Sequence, residues 1–188
     1  LPDELWRGVA TAPAAAERLL RALADHPRTG HAPWLERILA ADATPAAVRL
    51  LALAALPPGL QTHAHARLVL AALGDDTLGF LPDFAASRFS ARVADGLIAG
   101  VHAAVLDGRD LRAMLPLLQN VSPAGEQHLL ALASTEAAAD AEVICRWLET
   151  RASSVLTARV RAALAGEIAL DDWWLRRAGP HLGDAALR

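Results

Sequence analysis

The chain contains no lysine and no tyrosine, and several other residue types are rare. Its 188 residues include one cysteine, one methionine and three phenylalanines, while hydrophobic residues make up 54% of the sequence. Because Cys145 stands alone, an intrachain disulfide and a cysteine-ligated zinc site are excluded, and we predict a reducing, cytoplasmic location. β-Branched and aromatic residues, which favour strands, are scarce beside alanine and leucine, which favour helices. The composition therefore predicts an all-α protein.

The charge pattern argues against two classes of partner. All 18 basic residues are arginines, as is typical of a GC-rich bacterial genome, and they are interleaved with acidic residues to a net charge of −3. A nucleic-acid-binding protein needs a basic balance or a basic stripe, so we predict no nucleic-acid partner. The longest apolar stretch, 91–106, is interrupted by Arg92 and Asp95 and is too short and too charged to span a membrane. We therefore predict no membrane contact.

The spacing of apolar residues predicts nine or ten helices joined by short connections, which favour antiparallel neighbours. An amphipathic helix is predicted over 13–25, and Pro33 and Trp34 open a second. The helix over 45–56 is apolar on all sides except at Arg49, so we expect it to be the most buried, with Thr44 as its N-cap. Further helices are predicted over about 61–73 and 87–105, after 107–110, from Ser122-Pro123, from Thr135-Glu136, from Ser153 or Ser154 to Leu164, and over 171–177.

The length favours one domain over residues 1–188. The sequence begins with Leu1 rather than methionine. We therefore expect a single all-helical domain, with the possibility kept open that it is a fragment of a longer chain.

Two stretches recur at a spacing of 31 residues. Residues 14–20 match 45–51, and residues 38–41 match 69–72 in the same register. A fixed period of this size is what stacked helix pairs leave in a sequence. Beyond residue 74 the register is lost.

Residues 31–56 resemble one repeat of the HEAT family. The resemblance is carried by Pro33, Leu35 and Leu39 in a first helix, by Asp42 in the turn, and by Val48 and Arg49 in a second helix. The turn aspartate and the Val-Arg pair are one residue further apart than is usual for the family, and the resemblance covers residues 13–74. It implies antiparallel helical hairpins stacked as a short HEAT-like α-solenoid that binds another protein. An irregular helical bundle is the alternative.

Motifs of catalysis are absent from the sequence. It lacks the Gly-rich phosphate loops, the Gly-x-Ser-x-Gly elbow, His-Glu-x-x-His and the Glu-x-x-His pair of di-iron bundles. His63 and His65 would point away from each other on a helix, and we interpret Cys145 as an inert, semi-buried thiol. The pairs at 75–76 and 171–172 are aspartates suited to helix N-termini. We therefore predict a protein that is not an enzyme and that uses no cofactor or metal.

Two groups of residues are candidates for binding a protein partner. Tryptophan and arginine are enriched at interaction hot spots, and adjacent tryptophans on one helix cannot both face the same core. The first group is Trp173, Trp174, Arg176 and Arg177 in the last predicted helix. The second group, Arg18 and Arg49 together with Arg112, is predicted to line a groove along successive helix pairs.

Two other functions stay open. One is a ligand-binding or regulatory domain with an apolar pocket near Trp34, Leu51, Val69 and Phe89, to which His65 or His102 supplies a polar group. The other is an enzyme of unknown type that uses Asp75, Asp76 and a histidine. The first requires an enclosed cavity, and the second requires its side chains to meet in one cleft.

Overall fold

The computed structural model describes residues 12–72, 81–106, 114–135 and 138–167. Every regular element in these ranges is helical, which confirms the all-α prediction. The nine α-helices of this part of the chain are α1 (Pro13–Asp25), α2 (Ala32–Ala40), α3 (Ala46–Ala55), α4 (Ala66–Ala72), α5 (Leu81–Ala86), α6 (Ala91–Leu106), α7 (Pro123–Thr135), α8 (Ala138–Thr150) and α9 (Ser154–Leu164). Short 3₁₀ turns cover Thr29–His31, Pro58–Leu60, His63–His65 and Leu115–Leu118. Within the described residues, no helix is both long and apolar enough to cross a bilayer.

The chain groups into two compact units. Unit 1 comprises residues 1–103 and 113–122, and unit 2 comprises residues 104–112 and 123–188. The single domain expected for residues 1–188 stays a prediction.

Helix α3 lies at the centre of unit 1. It contacts α1, α2, α4 and α5, and Val48 and all residues from 50 to 56 are buried. An apolar surface on every side of a helix is what permits contact with so many neighbours, so the expected burial of this helix is confirmed. The predicted cap is wrong by one residue. Pro45 has an extended ψ of 144° and is itself the N-cap, while the side chain of Thr44 makes no capping hydrogen bond.

Gln61 joins the end of α3 to the segment before α6. Its side chain is fully buried, and its Nε2 donates hydrogen bonds to the carbonyl oxygens of Leu53 (3.1 Å), Leu56 (2.9 Å) and Arg88 (3.1 Å). Its Oε1 accepts a hydrogen bond from the Ser90 N–H at 2.6 Å. One side chain therefore satisfies backbone groups from two chain segments that are distant in sequence.

The helix predicted over 61–73 is shorter than expected. Residues 63–65 form a 3₁₀ turn, and α4 begins only at Ala66. The Nδ1 atom of His65 accepts a hydrogen bond from the Thr62 N–H at 3.1 Å, so this side chain caps the turn. Gln61 has extended backbone angles (φ −71°, ψ 138°) because its side chain is used in the core.

Unit 2 contains, within the described residues, α7, α8 and α9 with the turns that join them, and also residues 104–106 at the end of α6. Helix α7 contacts both α8 and α9. The predicted start at Pro123 is confirmed. Of the two serines expected to begin α9, Ser153 is the N-cap, because its Oγ accepts a hydrogen bond from the Leu156 N–H at 3.1 Å. Ala141, Ile144 and Leu148 lie on the buried face of α8.

A tight turn at Ala152 separates α8 from α9. The Ala152 N–H donates to the Glu149 carbonyl (2.8 Å), and the Ser153 N–H donates to the Leu148 carbonyl (3.1 Å). Ala152 has a φ of 51°, in the left-handed region where glycine is usual at this position of a helix end. Ser153 thus ends one helix and caps the next.

Candidate binding cleft

An open cleft of about 640 Å³ lies between α7 and α9 in unit 2. Its lining residues are Gln127 and Leu130 from α7, and Ser154, Val155, Ala158 and Arg159 from α9. Positions 154, 155, 158 and 159 share one helical face because residues three and four apart are neighbours on an α-helix. The volume falls in the range of about 300–1,000 Å³ that is common for ligand sites.

The cleft has an apolar floor and a polar rim. Leu130 is only 1% exposed, Val155 is half-buried, and Ala158 is a small exposed residue on the same face of α9. Gln127 and Arg159 are both exposed. A floor that can contact an apolar side chain therefore lies beside groups that can donate hydrogen bonds.

A buried carboxylate holds the helices of unit 2 together next to the cleft. Glu126 precedes the lining residue Gln127 and is 7% exposed. Its Oε2 accepts a hydrogen bond from the Ser153 hydroxyl at 2.6 Å, and its Oε1 lies 3.6 Å from the Arg151 Nε. The Arg151 guanidinium in turn lies over the Trp147 ring, 4.7 Å from its centroid. These contacts connect α7, α8 and α9 and thereby position the two helices that form the cleft.

The lining of the cleft combines apolar and polar groups. Its six side chains include one formal charge, the guanidinium of Arg159, together with an amide, a hydroxyl and three apolar groups. The Gln127 amide and the Ser154 hydroxyl can each both donate and accept a hydrogen bond.

The structure places the predicted partner-binding residues as follows. Arg18 is exposed on α1, and Arg49 is half-buried on α3. Trp173, Trp174, Arg176, Arg177 and Arg112 lie outside the described residues. A role for each in binding stays a prediction.

The titratable residues considered for chemistry do not form a metal site in the described part of the chain. There, no group of three or more histidine, cysteine, aspartate or glutamate side chains could hold an ion. His65 caps the turn described above, and its Nε2 lies 3.6 Å from Glu36 Oε2. Cys145 is buried and is not part of a disulfide. The aspartate pairs at 75–76 and 171–172 lie outside the described residues.

The residues expected around an apolar pocket are all buried in unit 1. Trp34 is 8% exposed, and Leu51, Val69 and Phe89 are each 2% exposed or less. The indole Nε1 of Trp34 is buried and has no hydrogen-bond acceptor among the described residues. A buried indole N–H normally has a partner, so this donor is an unusual feature of the unit 1 core.

No pattern in the sequence pointed to the α7/α9 cleft. Its floor depends on how two helices from different parts of unit 2 pack, and helical periodicity gives no distance between helices. The only local signal is the exposed Ala158 beside Val155 and Arg159, a small residue in a position that leaves space above the floor.

No protein-family model, curated protein or solved structure matches the chain.

Proposed function

We propose that the chain is a non-enzymatic helical-repeat module, a scaffold or adaptor that binds another protein. The observation that carries the proposal is the agreement between the 31-residue repeat and the helices. Of the first pair of matching segments, residues 14–20 lie in α1 and residues 45–51 lie at the start of α3. Of the second pair, residues 38–41 lie at the end of α2 and residues 69–72 lie at the end of α4. Helix α1 packs on α3, and α3 also contacts α2 and α4. Contact between equivalent helices of successive pairs, here the second helices α1 and α3, is what a short HEAT-like stack requires.

The α7/α9 cleft supports binding as the activity of this module. It is concave, it has an apolar floor, and its rim carries an arginine, which is a residue type enriched at interaction hot spots. Arg18 and Arg49 offer a second candidate surface on unit 1, and Trp173, Trp174, Arg176 and Arg177 a third. Each surface predicts a different location for the partner.

Site-specific cross-linking in cells of the source organism distinguishes these surfaces. A photoreactive benzoylphenylalanine replaces Ala158, Arg18 or Trp173 in turn, and Ala99, an exposed alanine on α6, is the control position. The expected result is one discrete heavier species formed from one surface and not from position 99. That species should be lost when a second residue of the same surface is substituted: Arg159→Gln with the probe at 158, Arg49→Glu with the probe at 18, or Trp174→Ala with the probe at 173. The same weak pattern from all four positions would contradict the proposal.

A small-molecule-binding or regulatory domain is the second candidate function. The buried Trp34 N–H favours it, because a ligand acceptor would satisfy a donor that otherwise costs free energy. Titration of tryptophan fluorescence and of the melting temperature with a metabolite library tests this function, with Trp34→Phe as the control variant that identifies the part of the signal due to Trp34. A ligand that raises the melting temperature of the wild type and not of Trp34→Phe would support it, while the absence of any such ligand would leave the interaction module as the function.

A further inference from the structure

We infer that Arg49 binds an aspartate or glutamate side chain of the protein partner at the N-terminal end of α3. The inference rests on the proposed function and names the chemistry that the partner presents to unit 1. It follows from the surroundings of Arg49, from the backbone N–H groups beside it, and from the charges nearby.

Arg49 is a half-buried cation without a partner. It is the only charged residue of α3, and within the described residues it takes part in no hydrogen bond, ion pair or ring contact. By contrast, half-buried Arg88 is paired with Asp25, and half-buried Arg151 lies 3.6 Å from Glu126. A guanidinium that is partly withdrawn from water is stabilised by a carboxylate, which it binds through two parallel hydrogen bonds. The surroundings of Arg49 therefore favour an acidic ligand.

The first turn of α3 offers further donors beside Arg49. Within the described residues, the N–H groups of Ala46 and Ala47 have no acceptor, because neither Thr44 nor Pro45 supplies a capping side chain. Ala46 and Ala47 are half-buried and Pro45 is exposed, so this turn is accessible from solvent. Helical side chains lean toward the N-terminus, and positions 45 and 46 are the neighbours of position 49 on the helix surface. One carboxylate can therefore bind both the guanidinium and the N–H groups.

The charges around Arg49 do not neutralise it. Among the described residues, neither Asp42, before α3, nor Glu17, on the helix α1 that packs on α3, forms an ion pair with Arg49. No acid lies in the first turn of α3. The helix dipole places further positive charge at this end, where a cation is unfavourable and an anion is stabilising. An acidic side chain of the partner complements both charges, and a basic one is repelled.

Selection of peptides against the full chain tests the inference. The probe is a phage-displayed library of random heptapeptides, and fluorescence anisotropy then gives the affinity of each selected peptide. We expect selected sequences that share an aspartate or a glutamate. Arg49→Gln should weaken their binding about tenfold or more, because hydrogen bonds between charged groups are lost. Arg161→Gln makes the same chemical change at an exposed arginine of α9 and should leave the affinity unchanged.

Substitution of the N-cap tests the N–H groups separately. Pro45→Asp places a carboxylate of the chain itself at the N-cap, where aspartate accepts hydrogen bonds from first-turn N–H groups. It should therefore compete with the acid of the peptide and weaken binding about tenfold or more. Pro45→Ala removes the proline without adding an acceptor, so this control should bind as the wild type does. Thermal melting checks that all four variants fold.

A change in the peptide identifies the contact directly. Replacement of its acid by the matching amide should weaken binding to the wild type about tenfold and should have little further effect on Arg49→Gln, because the same interaction is removed from either side. Selected peptides without an acid, or binding that tolerates Arg49→Gln or Pro45→Asp, would overturn the inference. If no peptide is selected but a partner is cross-linked, the inference fails and the interaction module stands. If neither is found, the proposed function fails with it.

Discussion

The Cβ of Ala66 lies 2.8 Å from the position that a Cβ on Gly96 would occupy. Helices α4 and α6 therefore approach each other as closely as a residue without a side chain permits. The His63 carbonyl oxygen lies 3.2 Å from the same position. Since both neighbouring atoms are fixed by the backbone of the facing segment, neither can rotate away.

Gly96→Ala should therefore destabilise the protein. Alanine gains about 1 kcal/mol over glycine in a helix interior, but overpacking of a tight contact costs about 1–3 kcal/mol. The net result expected is a loss of up to about 2 kcal/mol in the free energy of unfolding, measured by urea denaturation. Gly100→Ala should cost less, because the atoms nearest its added Cβ belong to the flexible, half-buried side chain of Leu70. Gly30→Ala is the control, since a Cβ there meets nothing within 4 Å. An increase in the free energy of unfolding of the Gly96→Ala variant would contradict the close contact between α4 and α6 at this position.

Gln61→Met should be among the most damaging single substitutions in unit 1. It keeps the length of the side chain but leaves the carbonyl groups of Leu53, Leu56 and Arg88 and the Ser90 N–H without this partner. Each buried polar group left unsatisfied costs about 1–3 kcal/mol, so we expect a loss of about 3 kcal/mol or more in chemical denaturation. Gln127→Met makes the same chemical change at an exposed position and should change stability by less than about 0.5 kcal/mol. Equal effects of the two substitutions would show that the hydrogen bonds of Gln61 contribute nothing.

Gln61→Glu should make the stability depend on pH. The new carboxyl is buried and faces three carbonyl oxygens, so its charged form is disfavoured and the pKa of the carboxyl is raised above its ordinary value. A pKa raised by folding contributes stability that is present at low pH and is lost as the pH rises. The deficit relative to the wild type should therefore be smallest in acid and should grow as the pH approaches neutrality. Melting temperatures of both proteins across this range provide the measurement, and a deficit independent of pH would contradict the expectation.

The start of a helix was predictable where residues next to it in sequence determine it. The predictions that failed depend on contacts between residues that are distant in sequence. The Ser122-Pro123 pair predicted the start of α7, and Ser153 was one of the two serines expected to begin α9. The start of α4 was misplaced because Gln61 is recruited into the core by partners as far away as Ser90. No helical pattern encodes such a contact.

The candidate site, too, was predictable from the sequence only in part. Buried positions such as Leu51 and Phe89 followed from apolar periodicity, yet their burial does not reveal a binding surface. The α7/α9 cleft depends on the packing of two helices and on a network in which Glu126 contacts residues of the α8–α9 turn. Its residues are ordinary in sequence, and only their juxtaposition makes them a candidate site.

Two helix ends of unit 2 allow opposite substitutions to be compared. Ala152 has a φ of 51° and Gly166 a φ of 75°, and both follow a helix in the same pattern of two backbone hydrogen bonds. The left-handed conformation costs a residue with a Cβ about 1–2 kcal/mol, and this outweighs the extra entropy that glycine loses on folding, about 0.5–1 kcal/mol. Ala152→Gly should stabilise the protein by up to about 1 kcal/mol. Gly166→Ala should destabilise it by a similar amount, although a Cβ there meets no atom within 4 Å. Thermal unfolding of both variants measures the pair, and shifts of the same sign would contradict the assignment.

The hydrogen bond from the Ser153 hydroxyl to the Glu126 carboxylate stabilises unit 2. Ser153→Ala removes the cap of α9, which costs about 1 kcal/mol, and also removes a donor to a buried carboxylate, which costs about 1–3 kcal/mol. We therefore expect a total loss of about 2–4 kcal/mol in urea denaturation. Ser154→Ala, at the exposed neighbouring position, should cost less than about 0.5 kcal/mol.

A double-mutant cycle with Glu126→Gln separates the two terms. An amide at position 126 needs the Ser153 hydroxyl less than a carboxylate does, because a charged acceptor loses more free energy when its donor is removed. Ser153→Ala should consequently cost about 1–2 kcal/mol less in the Glu126→Gln background than in the wild type. The remaining cost would be that of the helix cap, which Thr or Asp at position 153 should restore in part. Additive effects within about 0.5 kcal/mol would mean that the carboxylate gains nothing from the serine, and that unit 2 is held together by the packing of α7 on α8 and α9.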